Sequence, residues 1–256
     1  MTLKRLAGYG PAFVLAVAIL LIWQLIVKGH LITATILPPP TAIVQALLDN
    51  WDVLSVHTLQ TTMETVLGLG IATILGVVLA ILLDLSPWIR RAVYPLLITS
   101  QTIPMVALAP LLIIWFGLDL SPKIIVVALY CFFPIAVAFA DGLASTDPEL
   151  MKLMQSMKAT RWQALWLVRL PGAMPSFFSG LRIAATYSVT GAIVGEYVAA
   201  QQGLGIYMEL AARSNVVVLV FAAIVVTAVL SLLLFGLVSL LERIALPWHQ
   251  SQISKR

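Results

Sequence analysis

The chain has 256 residues, of which 61% are hydrophobic and only 10% are charged, and its mean hydropathy is +1.03. A soluble domain usually carries roughly 25% charged residues, so this composition excludes that class and predicts an integral membrane protein. The formal charge of +4 is not gathered into a basic cluster with interleaved aromatic residues, which argues against nucleic-acid binding.

Apolar runs of about 20 residues can cross the hydrocarbon core of a membrane. The chain has six such runs, which predict an all-α, polytopic membrane protein with six transmembrane helices: 11–27, 58–83, 92–116, 123–143, 176–200 and 215–240. These runs leave no room for a separate soluble domain. We therefore expect one transmembrane domain over residues 1–256, with its core helices over about 58–240.

The basic residues predict the orientation, because cytoplasmic loops carry an excess of Lys and Arg. If the N-terminus is inside, the cytoplasmic side holds Lys4, Arg5, Arg90, Arg91, Lys152, Lys158, Arg161, Arg169, Arg243, Lys255 and Arg256. The outer side then holds only Lys28, Lys123 and Arg213. We expect both termini to be cytoplasmic.

The first run also has the features of a signal peptide, because Lys4 and Arg5 precede it. It exceeds the usual apolar length and no clear small-x-small cleavage site follows, so we interpret it as a retained span. The segment LPPP at 37–40 predicts an extended stretch. Thr41 is then predicted to cap a short helix over 42–50.

Small residues recur every four positions in two of the spans. The second span has Gly68, Ala72, Gly76 and Ala80, and the fifth has Gly191, Gly195 and Ala199. Such stripes let two helices approach closely. Ordinary packing within one bundle and contacts along which helices slide or rock are both open.

The third span contains three prolines, Pro95, Pro104 and Pro110. Each removes a backbone donor that must be compensated inside the protein or by water. A broken helix lining a pathway and a kinked structural helix are both consistent with this. The polar stretch 100–102, which includes Gln101, favours a position against a cavity or another subunit.

Glu196 is the most unusual intramembrane residue, because a carboxylate there costs at least about 2–3 kcal/mol unless it is protonated, paired or wetted. It is therefore expected to point inward. It is either a structural hydrogen-bonding group or a residue of a substrate path or gate, with Tyr197 beside it and Tyr130 and Trp115 as aromatic neighbours. Glu64 has the same two interpretations.

A polar segment, 141–182, separates the fourth and fifth spans. Asp147 and Pro148 predict a helix start, with the helix running to about Met157. Thr160 with Gln163 predicts a capping box for a second helix that ends at Pro171, with an elbow near Ala159. The first helix has an apolar side formed by Leu150, Met151, Met154 and Met157. This side suits a partner's groove or a membrane surface.

The run KLMQSMKATRWQALWLVRLPGAMPSFFSGLRIA at 152–184 resembles the cytoplasmic signature of ATP-binding-cassette (ABC) importer permeases. The similarity includes PLLIIWFG at 110–117, FFPIAVAFADG at 132–142 and GLG at 203–205, which are typical of nitrate, sulfonate and taurine permeases. Residues 186–208 and 240–249 are more similar to permeases for thiamine-precursor pyrimidines.

The resemblance implies a type I ABC importer permease in the bacterial inner membrane. It implies a second permease copy in a homodimer, an extracytoplasmic binding protein, and ATPase subunits docked on the coupling region 145–170. The coupling residues carried over are Leu150, Met151, Lys152, Met154, Met157, Lys158, Ala159, Thr160 and Arg161. The candidate pathway residues are Gln101, Trp115, Tyr130, Glu196 and Tyr197.

The chain lacks a G-x-x-x-x-G-K-[ST] loop, so we expect it to be no enzyme, to bind no cofactor or metal, and to leave ATP and Mg to the ATPase. It departs from the family signature where the acid-Ala-Ala triplet and the glycine would fall, at 152–154 and Lys158. Since lysine lacks the flexibility of glycine, we expect either a continuous bend at the elbow or a specialised partner.

Two other classes are less consistent with the residues. A secondary transporter would show inverted repeats and midplane charges, and a hydrolase would need a nucleophile and base within the spans. His30, His57 and His249 are predicted to lie in flanks or loops, and Cys131 is the only cysteine. The scarcity of intramembrane cations favours a neutral, pyrimidine-like solute over a sulfonate.

Overall fold

The computed structural model describes residues 3–247, and over this range the chain is helical with no β-strand. The α-helices are α1 Leu3–Lys28, α2 Pro40–Asp49, α3 Trp51–Leu85, α4 Pro87–Ser100, α5 Met105–Phe116, α6 Leu120–Ala144, α7 Pro148–Ser156, α8 Arg161–Ala164, α9 Leu170–Ala199, α10 Leu204–Arg213 and α11 Val217–Ala245. A π-helical segment, Leu165–Arg169, joins α8 to α9. The predicted all-α class is confirmed.

Between residues 3 and 247, five helical segments are long and apolar enough to cross a membrane, and the pair α4 and α5 makes six if it counts as one span. The third predicted span is therefore not one helix. It begins at Pro87 and bends by 100° between Ser100 and Met105. Pro104 lies in this break, where it has no N–H with which to continue the helix.

The centre of the fold is α6, which packs extensively against α9 and α3. Residues Gly68, Ala72, Gly76 and Ala80 of α3 are all buried. A Cβ atom at Gly68 would collide with Val127 of α6, and one at Gly191 of α9 would lie 3.2 Å from Val127 and from the Tyr130 ring. The small-residue stripes thus provide close packing within one bundle.

The α1–α2 region differs from the prediction. Most of the α1 segment Gly10–Lys28 is exposed in this single chain. Pro39 is the N-cap of α2 and Pro40 is its first residue, so the prediction that Thr41 caps the helix was wrong. The Thr41 hydroxyl instead accepts a hydrogen bond from the Gln24 side chain of α1 at 3.2 Å. The backbone N–H of Thr41 donates to the Gln24 Oε1 atom at 3.2 Å.

The segment after the elbow is continuous, although it was predicted to end at Pro171. Helical backbone runs from α8 through the π-helical segment into α9. The Leu170 N–H donates to the Leu165 carbonyl, five residues earlier, and this wider turn precedes Pro171, which has no N–H. One helical arm therefore leads from α8 into the core of the bundle.

Candidate functional site: the coupling helices and a central cavity

The two helices predicted in the polar segment are present, with their predicted caps. The Asp147 carboxylate accepts the Glu149 N–H at 2.8 Å, and Pro148 is the first residue of α7. In α8 the Gln163 N–H donates to the Thr160 hydroxyl at 3.3 Å, while the Thr160 N–H donates to the Gln163 Oε1 atom at 2.8 Å. Local side chain to backbone bonds therefore define both helix starts.

The elbow between α7 and α8 turns at Lys158, whose φ is +56°. The Ala159 N–H donates to the Met154 carbonyl at 3.0 Å, and the Lys158 N–H donates to the Gln155 carbonyl at 2.9 Å. This pair of bonds is the Schellman pattern, which favours glycine at the left-handed position. The expected continuous bend was wrong, because Lys158 adopts the conformation that the family glycine would supply.

The apolar side chains of α7 are divided between two faces. Leu150, Leu153 and Met157 are 46%, 55% and 69% exposed, and we call them the docking stripe. Met151 and Met154 instead line a groove of about 300 Å³ within the chain, the α7 groove. Leu153 was not among the predicted coupling residues. It lies three residues after Leu150 and four before Met157, a spacing that places it on the same helix face.

The far wall of the α7 groove is formed by Asp84 of α3 and Arg169 of the π-helical segment. One guanidinium nitrogen of Arg169 lies 2.7 Å from each carboxylate oxygen of Asp84. Ala159, Thr160 and Arg161 also line the groove, whereas Lys152 and Lys158 are exposed. The ion pair joins α3 to the helical arm directly beside α7, which sequence reasoning missed.

A second cavity, of about 200 Å³, lies at the break between α4 and α5. We call it the tyrosine cavity. It is lined by Gln101, Met105, Leu129, Tyr130, Phe133, Pro134 and Tyr187. Two of the predicted pathway residues, Gln101 and Tyr130, thus share one cavity. Tyr187 was not among the predicted pathway residues, although it lies one turn from Gly191. A Cβ atom added at Gly191 would lie 3.2 Å from the Tyr130 ring.

The other predicted pathway residues do not line the tyrosine cavity. Trp115 of α5 is 67% exposed on this chain, and Tyr197 of α9 is 45% exposed. Glu196 is fully buried and points inward as predicted. Its carboxylate accepts the Thr61 hydroxyl at 2.6 Å and the Gly205 N–H at 2.5 Å.

These bonds belong to a buried polar group that joins α3, α6, α9 and α10, the carboxylate cluster. It comprises His57, Gln60, Thr61, Glu64, Lys123 and Glu196. Lys123 lies 3.3 Å from Glu64, and the Leu204 N–H donates to the Thr61 hydroxyl at 2.9 Å. The prediction that His57 lies in a flank or loop was wrong, because it is within α3 and accepts the Gly203 N–H at 3.0 Å.

The carboxylate cluster is better suited to holding helices together than to catalysing a reaction. Glu196 accepts hydrogen bonds from Gly205 in the first turn of α10 and from Thr61 of α3, and Thr61 also accepts the Leu204 N–H. These bonds hold the α9–α10 connection against α3. Within residues 3–247, no group of three or more His, Cys, Asp or Glu side chains is placed to hold a metal ion. His249 lies outside the described residues.

The family described as the inner membrane component of binding-protein-dependent transport systems matches residues 72–244. This range covers α4 to α10, the last part of α3 and nearly all of α11. The chain belongs to this family. It is the transmembrane permease component of an ABC importer, and it resides in the inner membrane.

The formylaminopyrimidine transport permease ThiX of Halalkalibacterium halodurans is 39% identical to this permease over 218 residues, covering 85% of this chain and 87% of the relative. The taurine transport permease TauC of Escherichia coli is 31% identical over 243 residues, covering 90% and 86%. The inward-facing MetNI methionine ABC transporter superposes with a TM-score of 0.67 at 19% identity, over 77% of this chain and 97% of the other. The last comparison shows the shared fold.

Proposed function

We propose that this permease forms half of a homodimeric channel that imports a neutral, thiamine-precursor pyrimidine. An extracytoplasmic binding protein delivers the solute, and separate ATPase subunits bind ATP and Mg and drive transport. Both termini of the permease lie on the ATPase side. The observation that best supports the solute class is the combination of an uncharged tyrosine cavity with 39% identity to a formylaminopyrimidine permease.

The ATPase binds to the docking stripe in this proposal. Leu150, Leu153 and Met157 present apolar surface to solvent on a short helix whose other apolar residues face the α7 groove. Exposed apolar side chains grouped on one face are typical of an interaction surface. The helical arm then carries displacement from α8 into α9, since the backbone is helical throughout.

The docking step is tested by replacing all three stripe residues with aspartate. We expect the ATPase to stop co-purifying with the permease, because three carboxylates cannot be buried in an apolar groove without pairing. Ser156→Asp is the control, since Ser156 is exposed on the same helix and lies outside both the stripe and the predicted coupling residues. Normal ATPase retention by the triple variant would contradict the assignment of this face.

A sulfonate, taurine or nitrate permease is the second candidate, favoured by the 31% identity to the taurine permease. An ATPase-independent secondary transporter is a further alternative. ATP-dependent uptake by the complete system in vesicles separates these functions. We expect uptake of a labelled aminopyrimidine that excess taurine does not inhibit. Uptake of taurine alone would overturn the solute assignment, and uptake without the ATPase would overturn the importer proposal.

A further inference from the structure

The tyrosine cavity has walls from three parts of the fold. Gln101 and Met105 come from the α4–α5 break, Tyr130 and Phe133 come from α6, and Tyr187 comes from α9. None of its lining residues is Asp, Glu, Lys or Arg. An anion in this cavity would have no compensating cation, so desolvation would oppose its binding.

The lining residues nevertheless offer several polar groups. Gln101 carries a side-chain amide and Tyr130 and Tyr187 carry phenol groups, and all three line the cavity. Tyr130 is half-buried, whereas Gln101 and Tyr187 are exposed on this single chain, where a solute can reach them. Among residues 3–247, none of these three side chains makes a hydrogen bond. An amide both donates and accepts, as does a phenol, so the side chains can match a ligand that carries both kinds of group.

Two of the lining residues also have a backbone group without a partner in its own helix. Pro134 lies within α6 and has no N–H, so the carbonyl of Tyr130, four residues earlier, loses its usual helical donor. Met105 is the first residue of α5, so its N–H has no partner within that helix. In a membrane, backbone groups freed in this way are tolerated where they face protein or a cavity.

The size and the walls of the cavity restrict the ligand further. About 200 Å³ is below the roughly 300–1,000 Å³ of pockets that hold drug-sized ligands, which favours a solute with a single ring. The rings of Phe133, Tyr130 and Tyr187 suit stacking against a flat π-system. A small aliphatic zwitterion would find neither a charge partner nor a stacking partner of its own.

We infer that this permease carries its own substrate site in the tyrosine cavity, where Gln101 and Tyr187 select an uncharged, planar, single-ring heteroaromatic solute. This inference deepens the proposed function and rests on it for the direction of transport. It assigns Tyr187 as a specificity-determining residue. Selection would then occur twice, once in the binding protein and once within the membrane.

The test measures binding to the permease–ATPase complex in lipid nanodiscs without the binding protein. The probe is radiolabelled 4-amino-2-methylpyrimidine at pH 8, where it is uncharged, and taurine serves as the competing zwitterion. We expect saturable binding that taurine does not displace. Gln101→Ala and Tyr187→Phe should each raise the Kd by about three- to tenfold, because each removes one hydrogen-bonding group.

Tyr207→Phe is the matched control, because it also removes one phenol group but lies in α10, where its ring packs against His57. Its Kd should equal that of the unmodified complex. Each variant is first checked for an unchanged elution profile and ATPase retention. Absence of saturable binding, or an equal Kd for Tyr187→Phe, Gln101→Ala and the control, would overturn the site.

Uptake by the complete system distinguishes failure of the site from failure of the proposed function. Pyrimidine uptake with a KM that Tyr187→Phe and Gln101→Ala leave unchanged would overturn the cavity site while the importer function stands. Uptake of taurine alone, together with pyrimidine binding that both variants weaken, would overturn the proposed solute of transport while the cavity site stands.

Discussion

Removing the Thr61 hydroxyl should loosen the carboxylate cluster. Thr61 is fully buried, and its hydroxyl oxygen lies 2.6 Å from Glu196 and 2.9 Å from the Leu204 nitrogen. Thr61→Val keeps the size and branching of the side chain but deletes both bonds, together with a longer contact from the hydroxyl to the His57 carbonyl of the same helix at 3.1 Å. The Leu204 N–H and one carboxylate oxygen are then left buried without these partners.

The expected cost follows from those two groups. An unsatisfied buried polar group costs about 1–3 kcal/mol. Interhelical hydrogen bonds in membrane proteins average only about 0.6 kcal/mol, because the unfolded chain also finds partners. For two groups these values give limits of about 1 and about 6 kcal/mol. We expect Thr61→Val to lower the free energy of unfolding by about 2–4 kcal/mol, since one affected acceptor is a carboxylate.

The assay is equilibrium unfolding of the purified permease by SDS in mixed micelles, followed by tryptophan fluorescence. Thr62→Val is the control, because the Thr62 hydroxyl bonds only the Thr58 carbonyl of its own helix at 2.7 Å. That change should stay within about 0.5 kcal/mol. If the two variants unfold at the same SDS fraction, the cluster does not fasten α10 to α3 and the reasoning is refuted.

Three further changes test other parts of the fold by the same unfolding assay. Gly203→Ala should cost at least about 3 kcal/mol, because φ is +129° and a Cβ would meet the Glu196 carboxyl, whereas Gly70→Ala, with open space around it, should be neutral or stabilising. Lys158→Gly should stabilise the elbow by about 0.5–1 kcal/mol, and Lys158→Ala should not, because only glycine relieves the left-handed backbone. Asp84→Asn should cost about 1–2 kcal/mol and reduce ATPase stimulation by the binding protein, because the half-exposed Arg169 loses its charged partner. Equal stability of Gly203→Ala and Gly70→Ala, or of Lys158→Gly and Lys158→Ala, would contradict these assignments. Full stimulation of the ATPase in Asp84→Asn would contradict the role of the ion pair.

Several features that depend on local sequence were predicted correctly, although the Thr41 cap was not. The caps at Asp147 and Thr160 involve residues two or three positions apart, so the sequence contains the whole interaction. The buried stripe of α3 was similarly visible, because small residues four positions apart share one helix face. The inward orientation of Glu196 followed from the cost of exposing a carboxylate to lipid.

Features that depend on distant contacts were not predicted. The partners of Glu196 come from α3 and α10, up to 135 residues away in the chain, and the pattern of α9 alone contains no signal for them. The conformation of Lys158 was missed for the opposite reason. Residue type argued for a continuous bend, but two backbone hydrogen bonds at the end of α7 favour the left-handed turn whatever the side chain.

Helix α9 connects the polar segment to both the tyrosine cavity and the carboxylate cluster. Its first residues continue the helical arm from Arg169, Tyr187 lines the tyrosine cavity, and Glu196 belongs to the carboxylate cluster. Because α9 is one helix, an axial shift at Leu170 moves every later residue of α9 with it. Close packing of Gly180 and Gly191 on α6 restricts tilting at those points, since a larger residue would collide there. Tyr187 is thus connected to the helical arm along α9, and the ion pair between Arg169 and Asp84 joins that arm to α3, so in the proposed coupling mechanism the Asp84 variant tests this connection.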